Sequence, residues 1–359
     1  MNVHTFFTDT SNSFSRGYQI GSHWKLQIQN AVALYLGFFP RIGIAEELVR
    51  SIGSASLDAL EEWAPALVLE IKGMATGAEI PLWQLACLNA RTEVLAAAAA
   101  CKEGECSTTV YAPGGNHAPY TLQTWDWHDS LVPDGLIMRL TTDQGMRVKL
   151  FTEFGMLGKI GVNSAGLGLH FNILHHASDN THGGVPVHAV ARRLLEEAHT
   201  VAEAIELARS ARVSASTVLT VFSCRDEKPV RAVSIELSPA RTGLVYPDAD
   251  GWILHTNHFV ETEQSLGERT PDVSTTYARY QHLQTVQGNM VVDDIRTRAA
   301  AMCGKAGEEA PICFHPDMSM PDTERWETLL TIGIDTEQCK LLYAAGNPIT
   351  LAINGYQQF

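Results

Sequence analysis

The spacing of hydrophobic residues changes in character at Cys106. Before it, apolar residues recur at helical spacing and predict a first helix over 56–75, with Ser56 as its N-cap and Pro65 marking a kink or a break, and a second helix that begins at Pro81. From Cys106 onward, short apolar runs alternate with Gly, Pro, Asn and Asp, which predicts strands joined by turns. The first hundred residues are therefore predicted to be helical and the remainder to be mixed.

The predicted elements after Cys106 follow a definite order. Strands are predicted at 107–111, 120–127, 136–142, 147–151, 166–173, 217–222, 231–237, 252–255, 328–334 and 340–345, and helices at 186–199, 201–211, 275–286 and 292–302. A Pro-Gly-Gly-Asn run at 113–116 predicts a hairpin between the first two strands. Strands, then helices, then strands are typical of a layered α+β domain and not of a parallel βαβ sheet.

The composition is that of an acidic, folded enzyme. The 359 residues are 45% hydrophobic and 18% charged, with a formal net charge of -14. So acidic a surface repels nucleic acid and anionic membranes, and neither is expected as a partner. The start of the chain lacks the basic and apolar regions of a signal peptide, no apolar run approaches the ~18 residues of a membrane span, and the alanine-rich stretch 94–100 predicts a buried helix. These features predict a cytoplasmic protein.

Cysteines and histidines give no metal signature. The seven cysteines are scattered and form no CxxC pair, which argues against a disulfide framework and against a structural zinc site. A dense group of histidines has no HExxH-type spacing with a third ligand; it comprises His170, His175, His176, His182 and His188. We therefore expect no metal and no cofactor, and a metal-dependent hydrolase built on these histidines is kept as an alternative.

Cys106 opens a predicted strand directly after a short polar loop, in the run EGECSTT at 103–109. One interpretation is a buried core cysteine at a helix-to-strand boundary. The other is a nucleophile that is exposed by cleavage of the Glu105–Cys106 peptide bond. Cleavage would give Cys106 a free α-amine, whose unperturbed pKa of about 7.7–8.0 suits a base at neutral pH. One residue would then supply both the nucleophile and its base.

Short motifs spread over nearly the whole chain favour the second interpretation. They are RGYQIG at 16–21, EIKGMATGA at 70–78, NARTE at 89–93, CST at 106–108, TWDW at 124–127, NSAGL at 163–167, SIELSP at 234–239, HTNH at 255–258 and AGNP at 345–348. In their order and spacing they resemble the penicillin acyltransferase family, the group around acyl-coenzyme A:6-aminopenicillanic acid acyltransferase, which also includes β-alanyl-amine hydrolases. The fungal penicillin enzyme has glycine before its cysteine, whereas this chain has Glu105.

This resemblance implies an α+β fold of the N-terminal-nucleophile (Ntn) hydrolase type, a four-layer α/β/β/α sandwich with two antiparallel sheets. Residues 1–359 would form a single domain. After cleavage, residues 1–105 would be a helical pro-segment or α chain and residues 106–359 a β chain, and the two fragments would stay together as a heterodimer. Arg91 and Glu93 are expected to tie the pro-segment to the rest by polar contacts.

The resemblance also implies roles for individual residues. Cys106 would be the nucleophile, and Asp126 would hydrogen-bond its ammonium and orient it. Asn257 would donate a hydrogen bond to the oxyanion, where one such donor is typically worth ~10²–10³ in rate. Arg279 would place a permanent positive charge near the thiol and lower its pKa.

Five further residues are expected to bind the substrate. Asn172 ends a predicted strand and would help to hold the substrate or the oxyanion. His255 and His258, on either side of Asn257, would line the site, as would the tryptophans Trp125 and Trp127 on either side of Asp126. The substrate itself is expected to be a small-molecule amide.

Three functions remain open at this point besides the metal-dependent hydrolase. A Cys106 acyl-thioester that reacts with water gives an amidohydrolase, which we favour because water is always present. The same thioester reacting with an amine gives an acyltransferase. A chain that keeps the fold but never cleaves itself would be a non-catalytic binding protein, and Glu105 is the feature that favours this alternative.

Overall fold

A computed structural model describes residues 1–97, 105–114, 117–226, 231–271 and 273–359. The part before Cys106 consists of a strand and a group of helices. They are β1 (Asn2–Phe7), α1 (Ser13–His23), α2 (Lys25–Arg41), α3 (Glu46–Trp63), α4 (Pro65–Ala78), α5 (Leu82–Asn89) and α6 (Arg91–Leu95). The helical character predicted for this part is confirmed, except for β1.

The predicted helix boundaries are partly right. Pro65 is the first residue of α4, where its missing N–H is harmless, so the predicted break is confirmed. Ser56 as an N-cap is wrong, because α3 begins ten residues earlier, at Glu46, and Ser56 lies buried inside it. Val49 and Ile52 are buried on the same helix, so the apolar face extends upstream of the residues that suggested the start. The predicted second helix is divided at Ala90 into α5 and α6.

The remaining elements build two sheets and their covering helices. The strands are β2 (Glu105–Tyr111), β3 (Tyr120–Trp127), β4 (Asp134–Thr141), β5 (Arg147–Glu153), β6 (Ile160–Asn163), β7 (Leu167–Ile173), β8 (Thr217–Ser223), β9 (Ala232–Leu237), β10 (Thr242–Val245), β11 (Trp252–His255), β12 (Glu327–Asp335), β13 (Lys340–Ala345) and β14 (Gln357–Gln358). The helices are α7 (Val187–Glu197), α8 (Val201–Ser210), α9 (Thr262–Ser265), α10 (Thr276–Val286), α11 (Ile295–Cys303) and α12 (Pro348–Asn354), with 3-10 turns at Gln287–Met290 and Gly304–Glu309.

The strands form an eight-stranded sheet in the order β1-β4-β5-β6-β7-β8-β9-β10 and a six-stranded sheet in the order β11-β2-β3-β12-β13-β14. The two sheets face each other, with β2 against β7 and β13 against β5 and β6. Helices α7 and α8 cover the outer face of the first sheet, and α10 and α12 pack on the second. This is the α/β/β/α sandwich that the family resemblance implies.

The pairing of β1 with β4 is parallel, whereas the other strand pairs are antiparallel. β1 was not predicted because it is an edge strand in which only Phe6 is buried, so it lacks a strong apolar alternation. It places the start of the chain in the eight-stranded sheet, whose other strands all follow Cys106. The predicted hairpin turn at 113–116 joins the antiparallel strands β2 and β3, but residues 115–116 lie outside the described residues, as does the end of the helix predicted at 94–100.

Helices α1 and α4 approach each other closely through glycines. A Cβ atom at Gly17 would lie 2.0 Å from the carbonyl oxygen of Glu70, and one at Gly73 would lie 2.1 Å from the carbonyl oxygen of Phe14. Beside this contact, the buried Glu70 carboxylate pairs with Arg16 of α1 at 2.6 Å and with Arg192 at 2.9 Å. The close approach explains physically why the RGYQIG and EIKGMATGA motifs contain glycine.

Two further contacts join the segment before Cys106 to the sandwich. Arg91 Nη2 lies 2.6 Å from Glu153 Oε1 at the end of β5, and Glu93 Oε1 accepts a hydrogen bond from the Val187 N–H at the start of α7. The expected tying role of Arg91 and Glu93 is therefore confirmed. In the described part of the chain, no helix is both long enough and apolar enough to cross a membrane.

Candidate active site

Cys106 is the second residue of β2 and lies where β2 loses one of its two neighbouring strands. On one side Cys106 pairs with Trp125 of β3. On the other side, the pairing with β11 ends at His255, opposite Thr108. The Cys106 N–H therefore has no strand partner there, and it donates a hydrogen bond to Asn257 Oδ1 at 2.7 Å. A side chain thus holds the backbone nitrogen of Cys106.

Asn257 is itself fixed by a second hydrogen bond. Its Nδ2 donates to the Ile173 carbonyl oxygen at 2.9 Å. In this arrangement Asn257 presents an acceptor, and not a donor, toward Cys106. The oxyanion-donor role of Asn257 stays a prediction; Nδ2 carries a second N–H that the bond to Ile173 does not use.

Arg279 of α10 joins the groups around Cys106. Its fully buried guanidinium donates to the Cys106 carbonyl oxygen at 2.5 Å, to Ser107 Oγ at 3.1 Å and to Asn257 Oδ1 at 2.9 Å. It also forms an ion pair with the Glu105 carboxylate. The proximity of Arg279 to Cys106 that the resemblance implies is therefore present in the geometry.

The Glu105 side chain is held by specific contacts in the uncut chain. Besides its ion pair with Arg279, its carboxylate accepts hydrogen bonds from the Thr275 N–H and Oγ, both at 3.3 Å. A carboxylate before the cysteine is thus compensated by the positive charge of Arg279. The site holds both residues of the predicted cleavage position.

The Cys106 thiol is buried and protonated at neutral pH. The residue is 3% exposed. Burial raises the pKa of the thiol to about 12, and the nearby carboxyl of Asp126 raises it further, while Lys159 and Arg279 act in the opposite direction. The uncut chain therefore carries a thiol and not a thiolate.

Asp126 lies on β3 directly opposite Glu105. Because side chains alternate along a strand, Asp126 and Glu105 share one face of the sheet, and the Cys106 side chain points to the other. Burial raises the pKa of Asp126 to about 8, so this carboxyl carries a proton at neutral pH. Thr124 Oγ lies 3.4 Å from Asp126 Oδ2.

Asn172 fixes the other side of the nucleophile strand. It accepts hydrogen bonds from Thr108 Oγ at 2.7 Å and Gln123 Nε2 at 3.1 Å, and its Nδ2 donates to the Cys106 carbonyl oxygen at 3.2 Å. Since Asn172 belongs to β7 of the opposite sheet, it connects the two sheets at Cys106.

The two predicted histidines are engaged with protein groups. His255 Nε2 lies 2.8 Å from Glu236 Oε1, and the ring is fully buried. His258 packs against the ring of Tyr277 at 4.5 Å between centroids, and burial lowers its pKa to about 3. Both lie close in sequence to Asn257, and their observed contacts hold the segment that carries Asn257 in place.

The two predicted tryptophans differ in position. Trp125 lies opposite Cys106, and its ring contacts Phe151 of the other sheet at 5.3 Å between centroids. Trp127 lies further from the nucleophile, and its Nε1 donates to the Tyr35 hydroxyl at 2.8 Å. Their substrate-binding roles stay predictions.

The structure adds two charged residues that sequence reasoning missed. Glu153 and Lys159 are buried, 2.6 Å apart, and the Lys159 amine lies 3.7 Å from the centroid of the Trp125 ring. The available signal was a lysine as the single charged residue in the apolar and glycine-containing run 156–162.

The predicted histidine group is dispersed among protein partners. His170 bonds to Gln123 Oε1 at 3.1 Å, His188 stacks on Phe171, and His176 bonds to Ser178. Within the described ranges, no cluster of three or more His, Cys, Asp or Glu side chains has a metal-binding arrangement.

A family model for acyl-coenzyme A:6-aminopenicillanic acid acyl-transferase matches residues 113–350, which is more than half of the 359-residue chain. The chain belongs to this acyltransferase family. The matched residues include Asp126, Asn172, Asn257 and Arg279, whereas Cys106 lies before them. The assignment of Cys106 as the nucleophile of this family member therefore stays a prediction.

A curated relative and several solved structures are similar to this member of the acyltransferase family. The acyl-coenzyme A:6-aminopenicillanic-acid-acyltransferase 40 kDa form of Emericella nidulans is 28% identical over 277 residues, which cover 74% of this chain and 73% of the relative. Penicillin V acylase from Agrobacterium tumefaciens is 13% identical, with a TM-score of 0.38, over 67% of this chain and 83% of its own. The Caenorhabditis elegans N-acylethanolamine-hydrolyzing acid amidase ortholog is 11% identical, with a TM-score of 0.45, over 65% of this chain and 96% of its own. These structural likenesses are too distant to transfer an activity.

Proposed function

We propose that this chain is a self-processing cysteine amidohydrolase of the Ntn class that cleaves a small-molecule amide through a Cys106 acyl-thioester. The observation that carries the proposal is the hydrogen bond from the Cys106 N–H to Asn257 Oδ1 at 2.7 Å, at the point where β11 ends. A nitrogen held by a side chain, and not by a strand, can become a free α-amine without disrupting the sheet.

The proposed self-cleavage is an attack of the thiol on the preceding peptide. Cys106 Sγ adds to the Glu105 carbonyl carbon, the C–N bond breaks, and the released nitrogen takes up a proton. Water then hydrolyses the thioester between Glu105 and Sγ. The products are residues 1–105 and 106–359, which would remain associated because Arg91 and Glu93 bind residues beyond the cut.

The new α-amine would then serve as the base for substrate turnover. It would take the thiol proton as sulfur attacks the substrate carbonyl, and return it to the departing amine. Asp126 supports this stage because its carboxyl is buried within one residue pair of Cys106. A neighbouring ammonium favours the ionised carboxylate, so cleavage would convert the neutral Asp126 into the anion that orients the amine.

Arg279 and Asn172 are the groups that we expect to fix the nucleophile during turnover. Both donate to the Cys106 carbonyl oxygen, at 2.5 Å and 3.2 Å. They reach it from α10 and β7, on opposite sides of β2. Two such contacts restrict the rotation of the residue that carries nucleophile and base.

Acyl transfer to an amine is the second candidate function. It is supported by the similarity to the Emericella nidulans protein, an acyltransferase. Hydrolysis and transfer share the acyl-thioester and differ only in what accepts the acyl group. Adding a primary amine to the reaction distinguishes them, because a transferase yields the new amide and a hydrolase yields the free acid.

The decisive test is the denatured mass of freshly purified protein, compared with Cys106→Ala and with the matched control Cys224→Ala. We expect fragments 1–105 and 106–359 in the parent and in Cys224→Ala, and one intact chain in Cys106→Ala. An intact parent chain would remove the amine-base mechanism and favour the non-maturing binding protein. Fragments that persist in Cys106→Ala would show that another group performs the cut.

A further inference from the structure

Lys159 lies over the face of the sheet to which the Cys106 thiol points. Lys159 is 1% exposed, and its Nζ lies 3.7 Å from the centroid of the Trp125 ring. Trp125 is directly opposite Cys106 in the β2–β3 pair. Directly opposed residues of an antiparallel pair have side chains on the same face, with Cβ atoms ~4.5–5.5 Å apart. The amine and the thiol therefore share the space between the two sheets.

Lys159 belongs to a buried cluster of charged groups. The Glu153 carboxylate is bound by Lys159 at 2.6 Å, by Arg91 at 2.6 Å and by the Tyr35 hydroxyl at 2.5 Å. Lys159 therefore shares its carboxylate with a second cation. Sharing weakens the stabilisation of a buried ammonium, so the cluster favours the neutral form of the lysine more than an exclusive ion pair would.

The groups that face Lys159 and Cys106 come from several elements. Around the lysine these are Glu153 of β5, Arg91 of α6, Trp125 of β3 and His188 of α7. His188 is a poor base, because burial and the charges of Arg91 and Lys159 lower its pKa. Arg91 stays charged, and Glu153 stays ionised because Arg91 and Lys159 hold its pKa below its usual range. Lys159 is the one member of this cluster that can change its charge at neutral pH, since burial lowers its pKa to about 7.

The uncut chain has no α-amine at Cys106 that could accept the thiol proton. Before cleavage the Cys106 nitrogen is an amide, so it cannot accept the thiol proton. Asp126 cannot do so at neutral pH either, because it already carries a proton, and it lies on the opposite face of the strand pair. We propose that Lys159 is the group that accepts the Cys106 thiol proton in the uncut chain, an inference that rests on the proposed self-cleavage.

The proton transfers in this step need no other donor or acceptor. Neutral Lys159 takes the proton from Cys106 Sγ and becomes an ammonium, and the thiolate attacks the Glu105 carbonyl carbon. When the C–N bond breaks, the proton returns from the ammonium to the departing nitrogen. Lys159 is then neutral again, and the new α-amine replaces it as the base for later turnovers. The two bases would thus act at different stages.

The test follows cleavage of newly made chain, produced by cell-free translation and stopped at intervals between pH 6 and 9. In the parent, the rate should rise as pH passes through about 7, since the neutral amine is the active form. Lys159→Met should be ~100-fold slower, the lower range of general-base effects. Lys159→Arg should also be slow, because it keeps the charge but cannot release its proton. Lys149→Met, a lysine of β5 near Phe359, should cut like the parent.

Lys159→Met is expected to fold, because Glu153 keeps Arg91 and Tyr35 as partners. Should it misfold, Glu153→Gln provides a second measurement. Glu153 raises the pKa of Lys159, so its loss should move the rise in cleavage rate to lower pH. Cleavage of Lys159→Met or Lys159→Arg within threefold of the parent would overturn the proposal.

A second readout separates this proposal from the proposed self-cleavage. If the parent chain never cuts, the alkylation of Cys106 by iodoacetamide is measured instead across the same pH range. The thiol should then react ~10-fold more slowly in Lys159→Met than in the parent at pH 7.5. Equal alkylation rates at every pH would refute the role of Lys159, whereas slower alkylation would uphold the proton transfer and leave only the cleavage disproved.

Discussion

The contact between α1 and α4 gives a prediction in which two similar substitutions act with opposite signs. Gly17 and Gly37 both lie within helices. A Cβ added at Gly17 would meet the Glu70 carbonyl oxygen at 2.0 Å, whereas one added at Gly37 would find nothing within 4 Å. We therefore expect Gly17→Ala to destabilise the protein and Gly37→Ala to stabilise it.

The magnitudes follow from the geometry. A real Cβ essentially never comes within 3.0 Å of another heavy atom, so α1 and α4 must separate by about 1 Å at Gly17. Overpacking of this kind costs ~1–3 kcal/mol, and the movement also stretches the buried Arg16–Glu70 pair. Replacing glycine in a helix regains at most ~1 kcal/mol. The net expectation is a loss of about 1–3 kcal/mol for Gly17→Ala and a gain of ~0.5–1 kcal/mol for Gly37→Ala.

The assay is urea unfolding followed by tryptophan fluorescence, with every variant made in a Cys106→Ala background so that the sample is one uncut chain. The two substitutions should then differ by at least ~1.5 kcal/mol in the free energy of unfolding, at unchanged denaturant dependence. If Gly17→Ala proved as stable as Gly37→Ala, the helices would be able to separate freely, and the close packing of α1 on α4 would not contribute to stability.

Two further predictions use the same Cys106→Ala background. Arg279→Met leaves the Glu105 carboxylate buried without its cation and should cost ~3–5 kcal/mol in urea unfolding. The control Arg209→Met, in an exposed helical pair with Glu206, should cost less than ~0.5 kcal/mol, and equal losses would contradict the buried ion pair. Burial raises the pKa of Asp126 to about 8, above the ~3.9 of an unfolded aspartate. The folded state therefore holds this proton more tightly than the unfolded state, and the free energy of unfolding decreases as pH rises from about 4 to 8. Asp126→Asn should therefore gain thermal stability over its parent between pH 5 and pH 8, and a constant difference in Tm would show that Asp126 does not titrate in that range.

The sequence predicts the elements of this fold better than the contacts among its polar residues. Strand and helix positions follow from local periodicity, which is why β13 was predicted at its observed residues and β1, a weakly patterned edge strand, was not. The Cys106–Asn257 bond joins residues 151 positions apart, and it depends on where β11 stops. No local pattern contains that information, so the proximity of Asn257 to Cys106 was predicted only through the family resemblance.

The cluster of Lys159, Glu153 and Arg91 is a second example of polar contacts that the sequence does not predict. Glu153 and Lys159 are six positions apart and flank a turn, while Arg91 is 62 positions away from Glu153. The sequence marks Lys159 as a charge among apolar residues, but its significance comes from the register that sets Trp125 opposite Cys106. A one-residue shift of that register would turn the thiol to the other face of the sheet.

The charged groups around Cys106 in the uncut chain each have a partner of opposite charge or are held neutral. Glu105 neutralises Arg279, Glu153 is paired with Lys159 and Arg91, and Asp126 is neutral because it keeps its proton. The buried thiol, whose pKa is raised to about 12, is consequently stable as a thiol. Cleavage before Cys106 would disturb this balance by adding an ammonium at a backbone nitrogen that the Asn257 side chain, and not a strand, holds. Because a buried charge demands a counter-charge, the ionisation of Asp126 would follow from the cut, so that the same bond cleavage creates the base and the carboxylate that orients it.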